Sequence, residues 1–331
     1  MQTSAAKNLR VIVITQGISR ILEPVATSGH TLVGIIESAP RNHKQGSRLR
    51  QLRRVLGKMS AGLGGGSNSL ESYAKNKNIP YRYMTSSDDP GLEGWVRSLS
   101  PDLIVVFSMS QLLKEKIFSI PAYGSINLHT AFLPEYRGPN PDFWHYYDMQ
   151  MEPGATVHYI AKGEDTGDII YQERIFIPLG TKSPARLDKL IGEVGVSLVL
   201  KAMHAIQDGN APRLPQAEVS PTRRARNVLP QEHHELIDWG AWPVERIWHV
   251  LRGTELWLNA LAQPEGMYKG QRWTIEGYDQ DGTESNEGKD VLRAGQIYNE
   301  AGRYFVACND GKIYLSRHFR VRNLLIGLLR R

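Results

Sequence analysis

An amide, an imidazole and a carboxylate occur within one stretch near the middle of the chain. Asn127 and His129 are two residues apart, so on a strand both side chains point to the same face. Asp165 follows in a loop that Gly163 and Gly167 bracket. These are the three kinds of side chain that acyl transfer to an amine would need, and they could act together if folding brought them together. We therefore predict that Asn127, His129 and Asp165 form a catalytic set.

Apolar runs predict the framework that would position these groups. Residues 102–107 form a continuous apolar run typical of a buried parallel strand, and residues 125–129 indicate a short strand with one polar face. The chain opens with a strand that ends before Gly17, then a helix-length segment and a second strand at 31–36. This β-α-β start predicts an α/β fold, a doubly wound and mostly parallel sheet with its site at the carboxyl ends of the strands.

Length and composition predict an enzyme of more than one domain. The 331 residues exceed the size at which single cores stop growing, and the formal net charge is +6. Cys308 is the only cysteine, so neither an intrachain disulfide nor a cysteine metal cage is possible. We expect it to be a buried packing residue and expect no metal site. No apolar run approaches membrane length and residues 1–10 lack a secretory core, which favours a cytoplasmic protein without a transmembrane segment.

Four motifs resemble one known family. They are Ile-Asn-Leu-His at 126–129, Leu-Pro-Glu-Tyr-Arg-Gly-Pro at 133–139, Ala-Thr-Val-His at 155–158 and Asp-Thr-Gly-Asp-Ile-Ile at 165–170. Together they resemble the folate-dependent formyltransferases, among them methionyl-tRNA formyltransferase, glycinamide ribonucleotide transformylase and the N-formyltransferases of nucleotide-linked amino sugars. The resemblance is good over about residues 8–205. It implies the formyltransferase fold and 10-formyltetrahydrofolate as formyl donor.

The resemblance also implies roles for particular residues. By motif position the catalytic residues are again Asn127, His129 and Asp165. The folate would lie near the loop after the strand at 102–107 and near the loop that carries Asp165. The folate-binding positions implied are Ser110, Gln111, Leu112, Leu113, Ala161, Lys162, Gly163 and Glu164. For the acceptor we predict contacts from Arg137, Gly138 and Trp144, although Trp144 can equally be helix core.

Elementary chemistry assigns a task to each catalytic group. An amine that attacks a formyl carbon builds negative charge on the formyl oxygen, which the Asn127 amide and a protonated His129 would stabilise. Asp165 would favour the imidazolium form of His129 and could pass on the proton of the attacking ammonium through a water. We expect the remaining polar residues of the stretch to be structural. They are His145, His158 and Asp168.

Composition shifts predict the domain boundaries. A catalytic domain at 8–207 is followed by a polar, proline-marked linker at 208–230. Several short strands in 231–322 predict a small carboxy-terminal β-barrel-like domain, and its Ile-Asp-Trp opening at 237–239 resembles the carboxy-terminal domain of methionyl-tRNA formyltransferases. Residues 323–331 form a basic and apolar tail.

The positive charge is local. Residues 41–66 carry seven basic side chains and no acid, and apolar residues recur at helical spacing, which predicts an amphipathic basic helix. Its basic face could contact tRNA phosphates, an anionic membrane surface, or only solvent. The tail from 317 to 331 could dock on the protein, on a second copy or on a membrane. The oligomeric state stays open.

The acceptor also stays open. The first turn (Thr-Gln-Gly-Ile at 15–18) and residues 38–41 (Ser-Ala-Pro-Arg) depart from the pattern of methionyl-tRNA formyltransferases. Residues 137–144 offer a cation and aromatic rings and resemble formyltransferase-like proteins of surface polysaccharides. We therefore favour a nucleotide-linked amino sugar over methionyl-tRNA. A non-catalytic folate-binding or sugar-binding protein is the alternative of another class.

Overall fold

The structure is a computed structural model that describes residues 8–40, 69–264, 271–280 and 292–317. The predicted basic helix at 41–66 and the tail beyond Arg317 lie outside the described residues. The chain divides into two compact units. Unit 1 comprises Met1–Pro139, Gly154–Ile175 and Asp188–Arg224, and unit 2 comprises Asn140–Pro153, Phe176–Leu187 and Ala225–Arg331.

Unit 1 is built on a seven-stranded sheet with the strand order β3-β2-β1-β4-β5-β6-β7. Its strands are β1 (Arg10–Thr15), β2 (Thr31–Ser38), β3 (Tyr81–Met84), β4 (Leu103–Phe107), β5 (Ser125–His129), β6 (Gly154–Tyr159) and β7 (Ile169–Arg174). The first five pair in parallel, whereas β6 and β7 are antiparallel to their neighbours. The predicted α/β class with a mostly parallel sheet is confirmed.

The helices of unit 1 begin at residues that suit helix ends. The Ser69 hydroxyl accepts the Ser72 N–H, and the Asp89 carboxylate accepts the Gly91 N–H just before a proline-led first turn. The helices are α1 (Leu22–Ala26), α2 (Leu70–Asn76), α3 (Pro90–Ser98), α4 (Glu115–Phe118), the π-helix Asp188–Gly195 and α7 (Val196–Gln207). Two helices of unit 2, α5 (Pro141–Tyr147) and α6 (Ser183–Leu187), precede the π-helix along the chain.

These helices bury both faces of the sheet. Successive residues of β1 point to opposite faces, so Val13 belongs to a core cluster with Met203 of α7, whereas Ile14 belongs to a second cluster with Leu92 of α3. Two cores on one sheet are the mark of a doubly wound fold. The carboxyl ends of the parallel strands, including β1, β4 and β5, therefore meet at one edge, where the site was predicted.

One helical run has the length and composition of a membrane span. The continuous run Ser183–Gln207 contains 25 residues, which corrects the expectation that no apolar run approaches that length. More than half of its most apolar window is buried inside the protein, as in the core helices of globular domains. We interpret the run as a core element.

Unit 2 contains the separate β-rich part predicted for the carboxy-terminal region. Its strands form an antiparallel sheet in the order β8-β11-β10-β9, an open four-stranded sheet among the residues described. The strands are β8 (Trp273–Asp279), β9 (Ile297–Glu300), β10 (Arg303–Cys308) and β11 (Gly311–Arg317), and the helices are α5 (Pro141–Tyr147), α6 (Ser183–Leu187) and α8 (Val244–Gly253). Cys308 is buried as predicted. Burial is the larger cause, and the charge of Asp310 the smaller, that raises the pKa of its thiol to about 12.

The two units divide the chain differently from the predicted domains. Helices α5 and α6 lie inside the predicted catalytic domain but belong to unit 2, because the buried Arg186 of α6 donates to Asp142 of α5. Much of the predicted linker belongs to unit 1, where Leu214 exchanges two backbone hydrogen bonds with Ile169 of β7. Polar composition alone does not distinguish a tether from a segment held by hydrogen bonds.

Candidate active site

The site starts from the alternation of side chains on β5 and β6. Asn127 and His129 point to one face of β5, as predicted. The antiparallel register sets His158 of β6 directly opposite Asn127, and Thr156 opposite His129. Cross-strand partners share a face, so His158 joins the same cluster. His158 was expected to be structural, and the structure places it beside the predicted catalytic residues.

Asp165 lies at the centre of this cluster. Its carboxylate is buried, with 14% of the side chain exposed, and faces two imidazoles: its Oδ2 is 3.6 Å from His129 Nδ1 and its Oδ1 is 3.6 Å from His158 Nε2. The Asn127 Nδ2 amide donates to Oδ1 at 3.5 Å, and the Gly138 backbone N–H donates to Oδ2 at 2.9 Å. The structure thus brings the three predicted catalytic residues together, with Gly138 beside them.

Backbone carbonyls assign the protons on both histidines. His129 Nε2 lies 3.0 Å from the Tyr136 carbonyl oxygen, and His158 Nδ1 lies 2.8 Å from the Tyr159 carbonyl oxygen. A carbonyl only accepts, so these ring nitrogens carry hydrogen. His158 Nε2 lies 3.2 Å from the Asn127 amide nitrogen and 3.6 Å from Asp165 Oδ1. The remaining nitrogen of His129, Nδ1, faces Asp165 Oδ2 at 3.6 Å, a distance that allows an ion pair when the ring is protonated.

The two imidazoles keep Asp165 ionised. Burial alone would raise the pKa of the Asp165 carboxyl, because it penalises the charged form. The positive charge of His129, the hydrogen bond and charge of His158 and the Gly138 N–H together outweigh burial and hold the pKa well below its usual range. Asp165 is therefore a carboxylate throughout the physiological pH range.

The residues predicted for folate after β4 lie beside the turn that follows β1. The Ser110 hydroxyl donates to the Gln16 side chain at 2.7 Å, which ties the two loops together. Gln111 accepts the Ser87 N–H and donates to a neighbouring carbonyl, both at 2.9 Å. Leu112 is 57% exposed, whereas Leu113 is buried. This edge of the sheet thus presents an apolar side chain beside fixed polar groups.

The other predicted folate residues lie in the loop before Asp165. Ala161 and Gly163 are exposed, and Lys162 pairs with Glu115 at 3.0 Å. Glu164 accepts Arg224 Nε at 2.9 Å. This loop is therefore held from outside by charged partners, with exposed small residues between them.

The residues predicted for the acceptor have separate surroundings. Gly138 contacts the Asp165 carboxylate, as described above. The Arg137 guanidinium donates to the Gln216 side chain and to the carbonyls of Ala217 and Glu218. Trp144 belongs to unit 2, is buried and donates to the Arg226 carbonyl at 2.7 Å, which agrees with the helix-core alternative.

Sequence reasoning missed His158, the Tyr136 carbonyl and Gln216. Gln216 Nε2 donates to the carbonyls of Asp165 and Gly167, at 3.0 and 2.7 Å. The sequence carried a signal for His158, because Thr156 and His158 alternate with apolar residues as Asn127 and His129 do. It carried none for Gln216, which stands 51 residues after Asp165 in an irregular segment.

Comparisons with known proteins find similarity to formyltransferases. Residues 65–203 match the family model described as "Formyl transferase". Methionyl-tRNA formyltransferase of Moorella thermoacetica is 29% identical over 297 residues, which cover 89% of this chain and 86% of that protein.

Two solved structures resemble the fold. One is an N-formyltransferase from Helicobacter canadensis in complex with folinic acid and dTDP-3-aminofucose, with a TM-score of 0.57, 15% identity, and coverage of 94% of this chain and 100% of that chain. The other is HypX from Aquifex aeolicus in complex with tetrahydrofolic acid, with a TM-score of 0.56, 12% identity, and coverage of 93% of this chain and 44% of that chain.

A doubly wound sheet with an amide, imidazoles and a carboxylate at its carboxyl edge suits an enzyme that transfers a group. The matches in sequence and in fold confirm the resemblance to the folate-dependent formyltransferases that was described from the motifs.

Proposed function

We propose that the chain transfers a formyl group from 10-formyltetrahydrofolate to a primary amine. The observation that carries this proposal is the contact of the buried Asp165 carboxylate with His129, His158 and Asn127. When bound, 10-formyltetrahydrofolate supplies the formyl carbon that the amine attacks. The residues around the predicted folate loops fit such a ligand, since exposed Leu112 and Ile18 offer apolar contact beside the hydrogen-bonded pair of Ser110 and Gln16.

The chain's own residues divide the work as follows. Asn127 donates an N–H to the oxygen on which charge develops, an interaction whose loss typically costs about 10² to 10³ in rate. In this assignment a protonated His129 donates the proton that the leaving nitrogen gains. The attacking amine loses one proton, which a water beside Asp165 accepts and passes to solvent. The low pKa of Asp165 suits an electrostatic partner better than a final proton acceptor.

For the acceptor we favour a nucleotide-linked amino sugar. The departures of residues 15–18 and 38–41 from the methionyl-tRNA formyltransferase pattern support it. The likeness to the whole length of an N-formyltransferase seen with dTDP-3-aminofucose is consistent with it at the level of the fold.

Methionyl-tRNA is the second candidate acceptor, and it has its own support. The methionyl-tRNA formyltransferase of Moorella thermoacetica matches over 89% of the chain. An α-amino group with a pKa of about 7.7 to 8.0 is partly neutral at physiological pH, so the same residues can serve either acceptor. We propose the cytoplasm as the location of the enzyme, where fractionation of the native host would test it.

The test is a turnover assay with separated acceptors. The purified chain is incubated with 10-formyltetrahydrofolate and either a panel of nucleotide-linked amino sugars or methionyl-tRNA, and the release of tetrahydrofolate is followed. Turnover with a sugar nucleotide that disappears in Asp165→Asn supports the proposal. Turnover only with methionyl-tRNA transfers the proposal to the second acceptor. Folate binding without turnover on any amine supports the non-catalytic alternative and refutes the proposal.

A further inference from the structure

A polar segment after α7 lies against the loops of the active site. We name residues 213–224 the strap. Its Leu214 pairs with Ile169 through two backbone hydrogen bonds of 2.8 and 3.0 Å, which extends the edge of the sheet beyond β7. Most strap side chains are exposed, among them Val219 at 80%. Gln216 is an exception, because it is half-buried and turned toward the protein.

Gln216 contacts two catalytic loops at once. Its Nε2 amide donates to the carbonyls of Asp165 and Gly167, and its Oε1 accepts from Arg137 Nη2 at 2.9 Å and from Arg137 Nε at 3.2 Å. One side-chain amide thus uses both donors and its acceptor on the loops that flank the site. Each loop is fixed relative to the other through this one group.

The loop held through Arg137 positions both partners of the His129–Asp165 pair. Tyr136 presents the carbonyl that accepts His129 Nε2, and Gly138 presents the N–H that binds Asp165 Oδ2. The strap contacts this loop a second time, because the Thr222 hydroxyl accepts the Tyr136 N–H at 2.7 Å. A shift of the loop would therefore disturb the placement of both the imidazole and the carboxylate.

Both loops contain backbone conformations that side chains disfavour. Asp165 has φ = 53° and Tyr136 has φ = 48°, both in the left-handed region. Residues with side chains rarely adopt this conformation, and it persists where surrounding contacts determine it. The hydrogen bonds of Gln216 and Thr222 act directly on these residues, so the strap supplies contacts that hold the strained geometry.

We propose that Gln216 is a positioning residue, which sets the distance between the Asp165 carboxylate and the two imidazoles by bonding to both catalytic loops. The inference rests on the proposed function for its effect on turnover. Its effect on the histidines does not depend on any substrate. Gln216 itself touches no reacting atom in this assignment.

The test compares Gln216→Met and Gln216→Glu with the control Val219→Ala. Methionine keeps the length of the side chain and removes its hydrogen bonds, whereas glutamate keeps the bond to Arg137 and turns a carboxylate toward two carbonyl oxygens. The first readout is an NMR titration of His129 and His158, followed through the ring ¹⁵N signals of the full chain. The second is kcat and KM for the amine acceptor that the wild type uses.

We expect both Gln216 variants to shift the titration midpoints of His129 and His158, while Val219→Ala leaves them unchanged. We expect kcat to fall about 10- to 100-fold with KM within about threefold, since a displacement of about 1 Å costs on the order of 10²-fold. Thermal unfolding should stay close to the wild type. An Arg137→Lys variant loses the planar guanidinium and should lower kcat by a similar factor. The double variant with Gln216→Met should have nearly the same kcat as Gln216→Met alone, because both changes break the same contact.

The outcomes separate the two proposals. Unchanged histidine midpoints in folded Gln216 variants overturn the positioning role, whatever the enzyme turns over. If the histidine midpoints shift in the Gln216 variants but the wild type formylates no amine, the positioning role is supported and the proposed function is refuted. A fall in kcat accompanied by an equal loss of folded protein, with normal midpoints in the remainder, assigns Gln216 to stability alone and also overturns the inference.

Discussion

Each unit of the molecule buries one aspartate beside a histidine, and the two aspartates differ in their counter-ion. In unit 1, Asp165 faces His129 and His158 at 3.6 Å. In unit 2, Asp142 accepts Arg186 Nη1 at 2.6 Å, and the same guanidinium also contacts His145. Arg186 is 1% exposed, and its guanidinium lies 5.1 Å from the centre of the Tyr146 ring.

The difference teaches which cluster can exchange protons. An arginine stays charged at every physiological pH, so Arg186 is a permanent counter-ion for Asp142 and joins α5 to α6. An imidazole is the side chain whose ordinary pKa lies closest to neutrality, so the counter-ions of Asp165 are of a kind that can exchange protons. A permanent counter-ion marks a structural site, and a titratable one marks a site for chemistry. The predictions below test this distinction, from the largest expected effect to the smallest.

Asp165→Asn should remove most activity and keep the fold. The amide keeps the size of the side chain but carries no charge to face the two imidazoles, so we expect turnover to fall about 10²- to 10⁴-fold. Release of tetrahydrofolate measures turnover, and urea unfolding measures stability. Asp142→Asn is the matched variant in unit 2, where the turnover of the folded fraction should stay near the wild type. Equal losses of turnover in both variants would contradict the comparison.

Arg186→Met should destabilise the protein instead. It leaves the Asp142 carboxylate buried without its cation, which typically costs about 3 to 5 kcal/mol of the free energy of unfolding. Urea denaturation followed by tryptophan fluorescence would measure the loss. The double variant Arg186→Met with Asp142→Leu should recover part of it, because no buried charge remains. A loss below about 1 kcal/mol would show that the pair is not a structural anchor.

His249 should make unit 2 sensitive to mild acid. Burial, and next the charge of Arg186, lowers the pKa of His249 from about 6.5 to about 4, and its Nδ1 accepts the Gly180 N–H. Between these values the unfolded chain binds the proton and the folded chain does not. Stability is therefore complete above pH 6.5 and falls as the pH drops toward 4, by up to about 3 kcal/mol for such a shift. His249→Asn, whose amide oxygen can still accept from Gly180, should flatten this part of the stability profile.

Residues on regular elements were predictable from the sequence, and residues that act across long chain distances were not. The strand at 125–129 agrees with β5, so the shared face of Asn127 and His129 followed from alternation alone. His158 required the register between β5 and β6, which depends on pairing and not on local pattern. The unit boundaries depend on the buried contact of Arg186 with Asp142, which no local pattern shows. The position of Gln216 depends on hydrogen bonds from a segment whose composition would suit a flexible linker equally well.

The smallest effect concerns the acid limit of unit 1. Because the pKa of Asp165 is lowered on folding, its contribution to stability is present above its unfolded value of about 3.9 and is lost as the pH falls through the folded value. Acid unfolding of the wild type should therefore be steeper below about pH 4 than that of Asp165→Asn, which has no such carboxylate. Urea midpoints measured at pH 5, 4 and 3 would compare the two chains. If the urea midpoints of the two chains fall in parallel with pH, the imidazoles do not stabilise the charged form of Asp165. The contrast drawn between the surroundings of Asp165 and those of Asp142 would then fail.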